Sequence, residues 1–90
     1  MRITAELSLY PLTDDYIPAV QSFIHVVQDM PGLRIRVNQM STQLSGELGD
    51  VCRAVETGLQ RSFENGGSQA LVVKFLNVDL PLDEPPDLGI

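Results

Sequence analysis

Two β-strands and the turn that joins them are encoded in one short stretch, Leu33-Arg34-Ile35-Arg36-Val37-Asn38-Gln39-Met40-Ser41-Thr42-Gln43-Leu44-Ser45. Apolar and polar residues alternate from Leu33 to Asn38 and again from Ser41 to Ser45, which is typical of strands with one buried face. A polar turn separates the two runs, so we expect consecutive strands that lie side by side and antiparallel. The elements on either side of this pair determine the fold.

Two amphipathic helices flank the pair of strands. The first has an apolar stripe at three- and four-residue spacing, formed by Val20, Phe23, Ile24, Val27 and Met30. The second has a side of apolar and small residues, formed by Val51, Ala54, Val55, Gly58, Leu59 and Ser62. We expect Asp14 and Asp50 to cap the two helices, with Pro18 in the first turn of the earlier one and Pro31-Gly32 at its end.

A strand at each end of the pattern completes the fold. Residues 2–10 alternate strictly between polar and apolar side chains, and Pro11 ends the run. The last strand extends from about Gln69 to Val78. The order β-α-β-β-α-β predicts an α+β, ferredoxin-like sandwich. Right-handed crossovers then give the antiparallel sheet order 4-1-3-2, with both helices on one face.

Length and composition indicate one domain, residues 1–79, followed by a proline-rich acidic tail, residues 80–90. The net charge of −6 would repel phosphates, so no nucleic-acid partner is expected. The apolar runs are far shorter than the about 20 residues that span a bilayer, and no signal-peptide pattern is visible. We therefore expect a cytoplasmic protein with no membrane partner.

Cys52 is the single cysteine, which excludes an internal disulfide and a thiolate metal site.

The predicted topology gathers polar residues at one end of the sheet. The first strand ends where the second ends and the third begins, which brings together Ser8, Tyr10, Asn38, Gln39, Ser41 and Thr42. Asp14 and Asp15 arrive at the same end, whereas Gly46 and Glu47 fall at the opposite end. Hydroxyl and amide groups in this arrangement suit a small ligand that is recognised by hydrogen bonds. The alternative is an ordinary turn, because Asn, Ser and Thr favour turns.

No catalytic residues and no metal site are predicted. An enzyme would use Glu6, Asp14 or Asp15 as a general base, yet the sequence pairs none of them with a nucleophile. Other functions of this fold also lack their residues. A copper chaperone needs Cys-x-x-Cys, and an RNA-recognition domain needs exposed aromatic residues and a basic surface. An acylphosphatase-like site needs an arginine after the first strand, where this chain has Pro11-Leu12-Thr13-Asp14.

The first predicted strand and the residues after it read Ile3-Thr4-Ala5-Glu6-Leu7-Ser8-Leu9-Tyr10-Pro11-Leu12. The turn and the third strand read Asn38-Gln39-Met40-Ser41-Thr42-Gln43-Leu44-Ser45-Gly46-Glu47. These two segments resemble the signatures of the thiamine-binding, YkoF-like family. The resemblance covers residues 2–79. It implies binding of thiamine or its hydroxymethylpyrimidine moiety as a ligand, with no catalysis and no cofactor, and assembly into homodimers or homotetramers through sheet contacts. The chain departs from the family at Gln39-Met40-Ser41-Thr42, where Pro-Met-Gly-Thr is frequent, and at Ser45-Gly46, where Glu-Gly is frequent.

This implied ligand gives the polar end of the sheet a chemical interpretation. An aminopyrimidine presents ring-nitrogen acceptors and an amino donor, and the side chains expected to bond them are Ser8, Asn38, Ser41 and Thr42. Tyr10 or Met40 would contact the ring, and Asp14 or Asp15 would face the positive thiazolium. The alternative function is a structural or regulatory homo-oligomer without a thiamine ligand, whose turn would be filled by its own side chains.

Overall fold

The computed structural model describes residues 1–65 and 67–89. They form a four-stranded antiparallel sheet with two helices packed on it. In chain order the elements are β1 (Arg2–Pro11), α1 (Ile17–Gln28), β2 (Arg34–Val37), β3 (Thr42–Glu47), α2 (Leu48–Glu64) and β4 (Gln69–Leu76). The strands are arranged β2-β3-β1-β4, and all neighbours are antiparallel. The predicted ferredoxin-like fold and its 4-1-3-2 order are confirmed.

Strand β1 lies in the middle of the sheet and has neighbours of unequal extent. It pairs with β4 as far as Pro11, opposite Gln69, but with β3 only as far as Leu7, opposite Thr42. Its apolar residues point to the helices and contribute to the buried core of Ile3, Ala5, Leu7, Phe23, Val27, Leu44, Val51 and Ala54. The alternation of β1 thus predicted the buried face correctly, and the unequal pairing leaves one edge of β1 open at its end.

Helix α1 starts later than its sequence suggested. The N-cap residue is Tyr16, and it makes no capping hydrogen bond through its side chain, so the prediction that Asp14 caps this helix is wrong. Pro18 does lie in the first turn, where its missing N–H group leaves no helical hydrogen bond unmade. The segment between Pro11 and Ile17 is irregular because the chain must cross from the end of the sheet to the helical layer.

Helix α2 follows β3 without a loop, which also changes its cap. Glu47 is both the last residue of β3 and the N-cap residue of α2, so the prediction of Asp50 as the cap is wrong. Asp50 instead lies in the first turn, where its negative charge is favourable near the positive end of the helix dipole. It also accepts a hydrogen bond of 2.9 Å from Nη1 of Arg53.

A short C-terminal segment is fixed to the sheet face opposite the helices. The Thr4 hydroxyl donates to the Val78 carbonyl at 2.7 Å and accepts from the Leu80 amide at 2.9 Å. These bonds lie at the predicted boundary between domain and tail, and they show that the face is partly covered. Beyond Leu80 the hydrogen bonds of the described residues are local, such as that from Leu82 N–H to the Leu80 carbonyl. Ile90, the last residue of the predicted tail, lies outside the described residues.

No helix within residues 1–65 and 67–89 has the length and apolar character needed to cross a lipid bilayer.

Candidate functional site

A cleft of about 510 Å³ lies at the end of the sheet where β1 extends past β3. One side is the unpaired edge of β1, another is the turn of residues 38–41, and the third is the face of α1 that carries Val20, Phe23 and Ile24. All six residues predicted to bind a ligand are brought together in its lining, namely Ser8, Tyr10, Asn38, Met40, Ser41 and Thr42. Their role in binding stays a prediction. Five of them, with Gln39, are the residues that the predicted topology gathered at this end of the sheet, and Met40 joins them in the lining.

The wall of the cleft on the helix side is apolar, and the sequence reasoning did not assign it to the site. It is formed by Leu9 of β1 and by Val20, Phe23 and Ile24 of α1. The helical stripe had assigned these α1 residues to the core, and Phe23 is indeed buried there. Tyr16, which is half exposed, adds a second aromatic ring beside Tyr10. Its position directly before the helix is the signal that would have placed it at this end of the sheet.

Thr42 contributes a hydroxyl group to the lining of the cleft. The residue is only 3% exposed and shares the helix-side face of the sheet with Leu7, its partner across the strands. Among the described residues, no hydrogen bond is made by the Thr42 hydroxyl. A ligand atom that bonds to this hydroxyl would lose about 1–3 kcal/mol if the hydroxyl were removed.

The side-chain oxygen of Asn38 stabilises the turn by accepting two backbone hydrogen bonds. Its Oδ1 accepts from the backbone N–H groups of Met40 at 2.8 Å and Ser41 at 3.0 Å. Its own backbone N–H donates to the Ser41 carbonyl at 3.1 Å. The remaining Nδ2 donor has no partner among the described residues, so only this half of the side chain is available to a ligand. Met40, at the tip of the turn, is 85% exposed and can move onto a bound ring.

Ser41 is engaged by a network on the other face of the sheet. Its hydroxyl donates to Oε2 of Glu6 at 2.9 Å and accepts from Nε2 of Gln43 at 3.2 Å. Oε1 of Glu6 lies 3.4 Å from Nζ of Lys74. The hydrogen bond from Ser41, followed by that from Lys74, lowers the pKa of Glu6 below its ordinary value. While Glu6 is charged, the Ser41 hydroxyl donates to it. The hydroxyl oxygen can therefore accept a hydrogen bond from a ligand, but the hydroxyl cannot donate one to the ligand.

This network lines a second, smaller hollow of about 350 Å³ that continues the cleft onto the face opposite the helices. The two hollows share Ser8, Tyr10, Met40 and Ser41, so the site is one passage around the open edge of β1. The helix-side part is mostly apolar and carries the Thr42 hydroxyl, whereas the opposite part is lined by the charged pair of Glu6 and Lys74. A ligand with an apolar ring and a polar substituent fits this division.

The Glu6 network predicts a pH dependence of folding stability. Because the pKa of Glu6 is lower in the folded state than its ordinary value of 4.5, its carboxylate contributes stability that is fully present above that value. This contribution is lost as the pH falls through the folded-state pKa. Urea denaturation at a series of acidic pH values should show a smaller acid-induced loss of stability for Glu6→Gln than for the unchanged protein. The same substitution at the exposed Glu56 is the control and should leave the acid-induced loss unchanged.

Asp14 and Asp15 do not line the cleft. Other residues of the same region, Pro11, Leu12 and Tyr16, do line it, so the structure does not support the expected contact of Asp14 or Asp15 with a thiazolium. Asp15 instead lies at a shallow depression beside Ser62 and Gln69, which hydrogen-bond to each other at 2.6 Å. Within the described part of the chain, no group of three or more His, Cys, Asp or Glu side chains could hold a metal ion.

The fold and the site together define a small ferredoxin-like protein with a ligand-sized cleft at the end of its sheet. The model of the YkoF-related family matches residues 2–80. The chain therefore belongs to the YkoF-related family, as the two signature-like segments indicated. No curated protein sequence matches the chain.

Solved structures with the same fold come from several bacteria. A Thermotoga maritima protein assigned provisionally to thiamine biosynthesis or salvage has a TM-score of 0.79, 13% identity and 92% coverage of both chains. A Streptococcus pneumoniae protein has a TM-score of 0.79, 23% identity and 91% coverage of both chains. A domain of unknown function from Bacillus cereus is 27% identical with a TM-score of 0.75, covering 92% of this chain and 85% of that one. The similarity to the first two shows a shared fold.

Proposed function

We propose that the protein binds thiamine or its hydroxymethylpyrimidine moiety without catalysing a reaction. The observation that carries the proposal is the cleft, which combines an apolar wall with two polar groups, the Thr42 hydroxyl and the Asn38 amide donor, that have no hydrogen-bond partner among the described residues. Its volume lies in the usual range for small-molecule sites, about 300–1,000 Å³. Membership of the YkoF-related family and the provisional thiamine-related assignment of the Thermotoga protein support the same ligand.

The shape of the ligand fits the division of the site. A planar pyrimidine ring would lie against Phe23 and Ile24, with Tyr10, Tyr16 or Met40 closing over its free face. Its ring nitrogens and amino group would meet the polar groups at the turn. The remainder of thiamine would extend toward the opposite face, where the carboxylate of Glu6 offers negative charge to the thiazolium.

Electrostatics support a binding role over an enzymatic one. The carboxylate nearest the site is Glu6, and its pKa is lowered by the hydrogen bonds from Ser41 and Lys74. A general base that works near neutral pH needs a pKa raised toward that pH, which is the opposite shift. Glu6 is therefore suited to neutralise a positive charge and unsuited to remove a proton.

Calorimetric titration with thiamine and with hydroxymethylpyrimidine tests the proposal. We expect saturable binding of at least one compound with one site per chain, and recovery of the compound unchanged after prolonged incubation. Recovery of a converted product would contradict the non-catalytic part of the proposal. Absence of heat for both compounds at millimolar concentration would exclude the ligand assignment.

We also propose that the protein is a homodimer or homotetramer. Edge strand β4 carries three apolar side chains that are each about half exposed, Val72, Phe75 and Leu76. An exposed edge strand with apolar side chains favours pairing with a second copy. Light scattering should give two or four times the chain mass of 9.9 kDa. Leu76→Lys should shift the protein toward the monomer, whereas Leu88→Lys in the exposed tail should not.

The oligomer also provides the test of the alternative function. A structural or regulatory homo-oligomer would retain its assembly but bind neither thiamine nor hydroxymethylpyrimidine. A protein that scatters light as a monomer at micromolar concentration would exclude both the alternative and the homo-oligomer.

A further inference from the structure

The open edge of β1 presents backbone groups to the cleft. Pairing with β3 ends at Leu7, opposite Thr42, while pairing with β4 continues to Pro11. From Ser8 onward, therefore, β1 has no strand neighbour on the side of the turn within the described residues. Leu9, the second residue of this unpaired stretch, lines the cleft.

Two hydrogen bonds at the ends of β1 establish which residues face this edge. The Leu12 N–H donates to the Ser68 carbonyl on the β4 side, and the Met1 carbonyl accepts from the Leu48 N–H on the β3 side. Because successive residues of a strand direct their N–H and C=O groups to opposite sides, even-numbered residues of β1 face β4 and odd-numbered residues face β3. Both backbone groups of Leu9 therefore point into the cleft.

Pro11 limits what can pair with this edge. It is the next odd-numbered residue, and proline has no N–H, so the stretch from Ser8 to Pro11 offers one donor, at Leu9, and acceptors at Leu9 and Pro11. A peptide strand would need regularly repeated donors and acceptors to extend the sheet. A small planar heterocycle needs only one adjacent donor–acceptor pair.

We propose that the backbone of Leu9 is the principal recognition element for the aminopyrimidine. The Leu9 N–H would donate to a ring nitrogen of the ligand, and the Leu9 carbonyl would accept from the neighbouring amino group. The ligand thereby takes the place of a β3 residue in the sheet, with its ring held against the apolar wall on the helix side. This inference rests on the proposed function, since it assigns the atoms that select the pyrimidine.

A ligand pair tests the donor and acceptor pattern. Hydroxymethylpyrimidine is compared with the counterpart in which an oxo group replaces the amino group. The ring nitrogen of that counterpart carries a proton, so it opposes donor to donor and acceptor to acceptor at Leu9. We expect its affinity to be lower by about a hundredfold, because two hydrogen bonds are lost and both polar groups stay buried.

Chemical synthesis distinguishes the backbone of Leu9 from the side chains near it. Cys52 is exposed and is the single cysteine, so the full chain can be joined by ligation between Val51 and Cys52. Replacing the amide that precedes Leu9 by an ester removes that N–H and leaves every side chain unchanged, although the Ser8 carbonyl on the β4 side also becomes a weaker acceptor. The replacement should weaken hydroxymethylpyrimidine binding about tenfold. The same replacement before Leu88, in the exposed tail, should leave the affinity unchanged.

Nuclear magnetic resonance of the isotope-labelled natural chain gives a measurement that needs no altered backbone. The Leu9 amide should become protected from hydrogen exchange when hydroxymethylpyrimidine binds. Equal affinities for the amino and oxo compounds, or a Leu9 amide that stays unprotected in the complex, would overturn the Leu9 assignment while the proposed function stands. Failure of hydroxymethylpyrimidine and thiamine to bind at all would overturn both.

Discussion

Thr42→Val is expected to lower the affinity for thiamine or hydroxymethylpyrimidine by between about tenfold and a hundredfold. Valine has nearly the shape of threonine, so the apolar wall of the cleft is preserved while the Thr42 hydroxyl is removed. Thr42 is only 3% exposed as a residue, and the described residues give its hydroxyl no hydrogen bond. A ligand atom bonded to it would therefore be left unsatisfied in the variant.

The folding stability of the same variant separates a binding role from a structural one. Because the Thr42 hydroxyl makes no hydrogen bond among the described residues, Thr42→Val should leave the free energy of unfolding without ligand unchanged or slightly higher. Calorimetry and urea denaturation measure the two quantities. Thr57→Val, on α2 away from the cleft, is the matched control and should change neither the affinity nor its ligand preference. An unchanged affinity of Thr42→Val would place the site elsewhere.

The parts of the fold that depend on periodicity could be predicted from the sequence. The alternation in β1 and around the turn of residues 38–41 determined which faces are buried, and the order of elements then left one sheet order. Cap residues could not be predicted in the same way. Asp14 and Asp50 both have the chemistry of a cap, but the start of a helix depends on how many residues the chain needs to reach the helical layer.

The position of the candidate site in the fold could be predicted from the sequence, but its hydrogen bonds could not. Connectivity alone placed Ser8 and Tyr10 beside the turn, and the structure agrees. The direction of each hydrogen bond depends on register and on competition between partners, which no local pattern reveals. The Ser41 hydroxyl donates its hydrogen bond to Glu6, and the side-chain oxygen of Asn38 accepts one from the Met40 N–H group in the turn. The open backbone at Leu9 is likewise a consequence of register, since pairing with β3 stops two residues earlier.

The close contact between the two helices holds the apolar wall of the cleft in place. Gly58 of α2 lies against α1, and a Cβ atom at this position would be 2.8 Å from Cε2 of Phe23 and 3.1 Å from Cγ2 of Val27. Both neighbours are almost fully buried, so neither ring nor methyl group can move freely. Overpacking of this kind costs about 1–3 kcal/mol. Alanine gains about 1 kcal/mol over glycine in a helix, which offsets part of that cost.

Gly58→Ala is therefore expected to lower the free energy of unfolding by up to about 2 kcal/mol, measured by urea denaturation. Gly49→Ala is the matched control, because it lies in the same helix with no atom within 4 Å of the added Cβ. That variant should be more stable by up to about 1 kcal/mol. Since Phe23 also lines the cleft, Gly58→Ala should displace its ring toward the opening and weaken ligand binding as well. Equal stabilisation by both substitutions would show that the helices separate easily, and the apolar wall would then be adaptable rather than rigid.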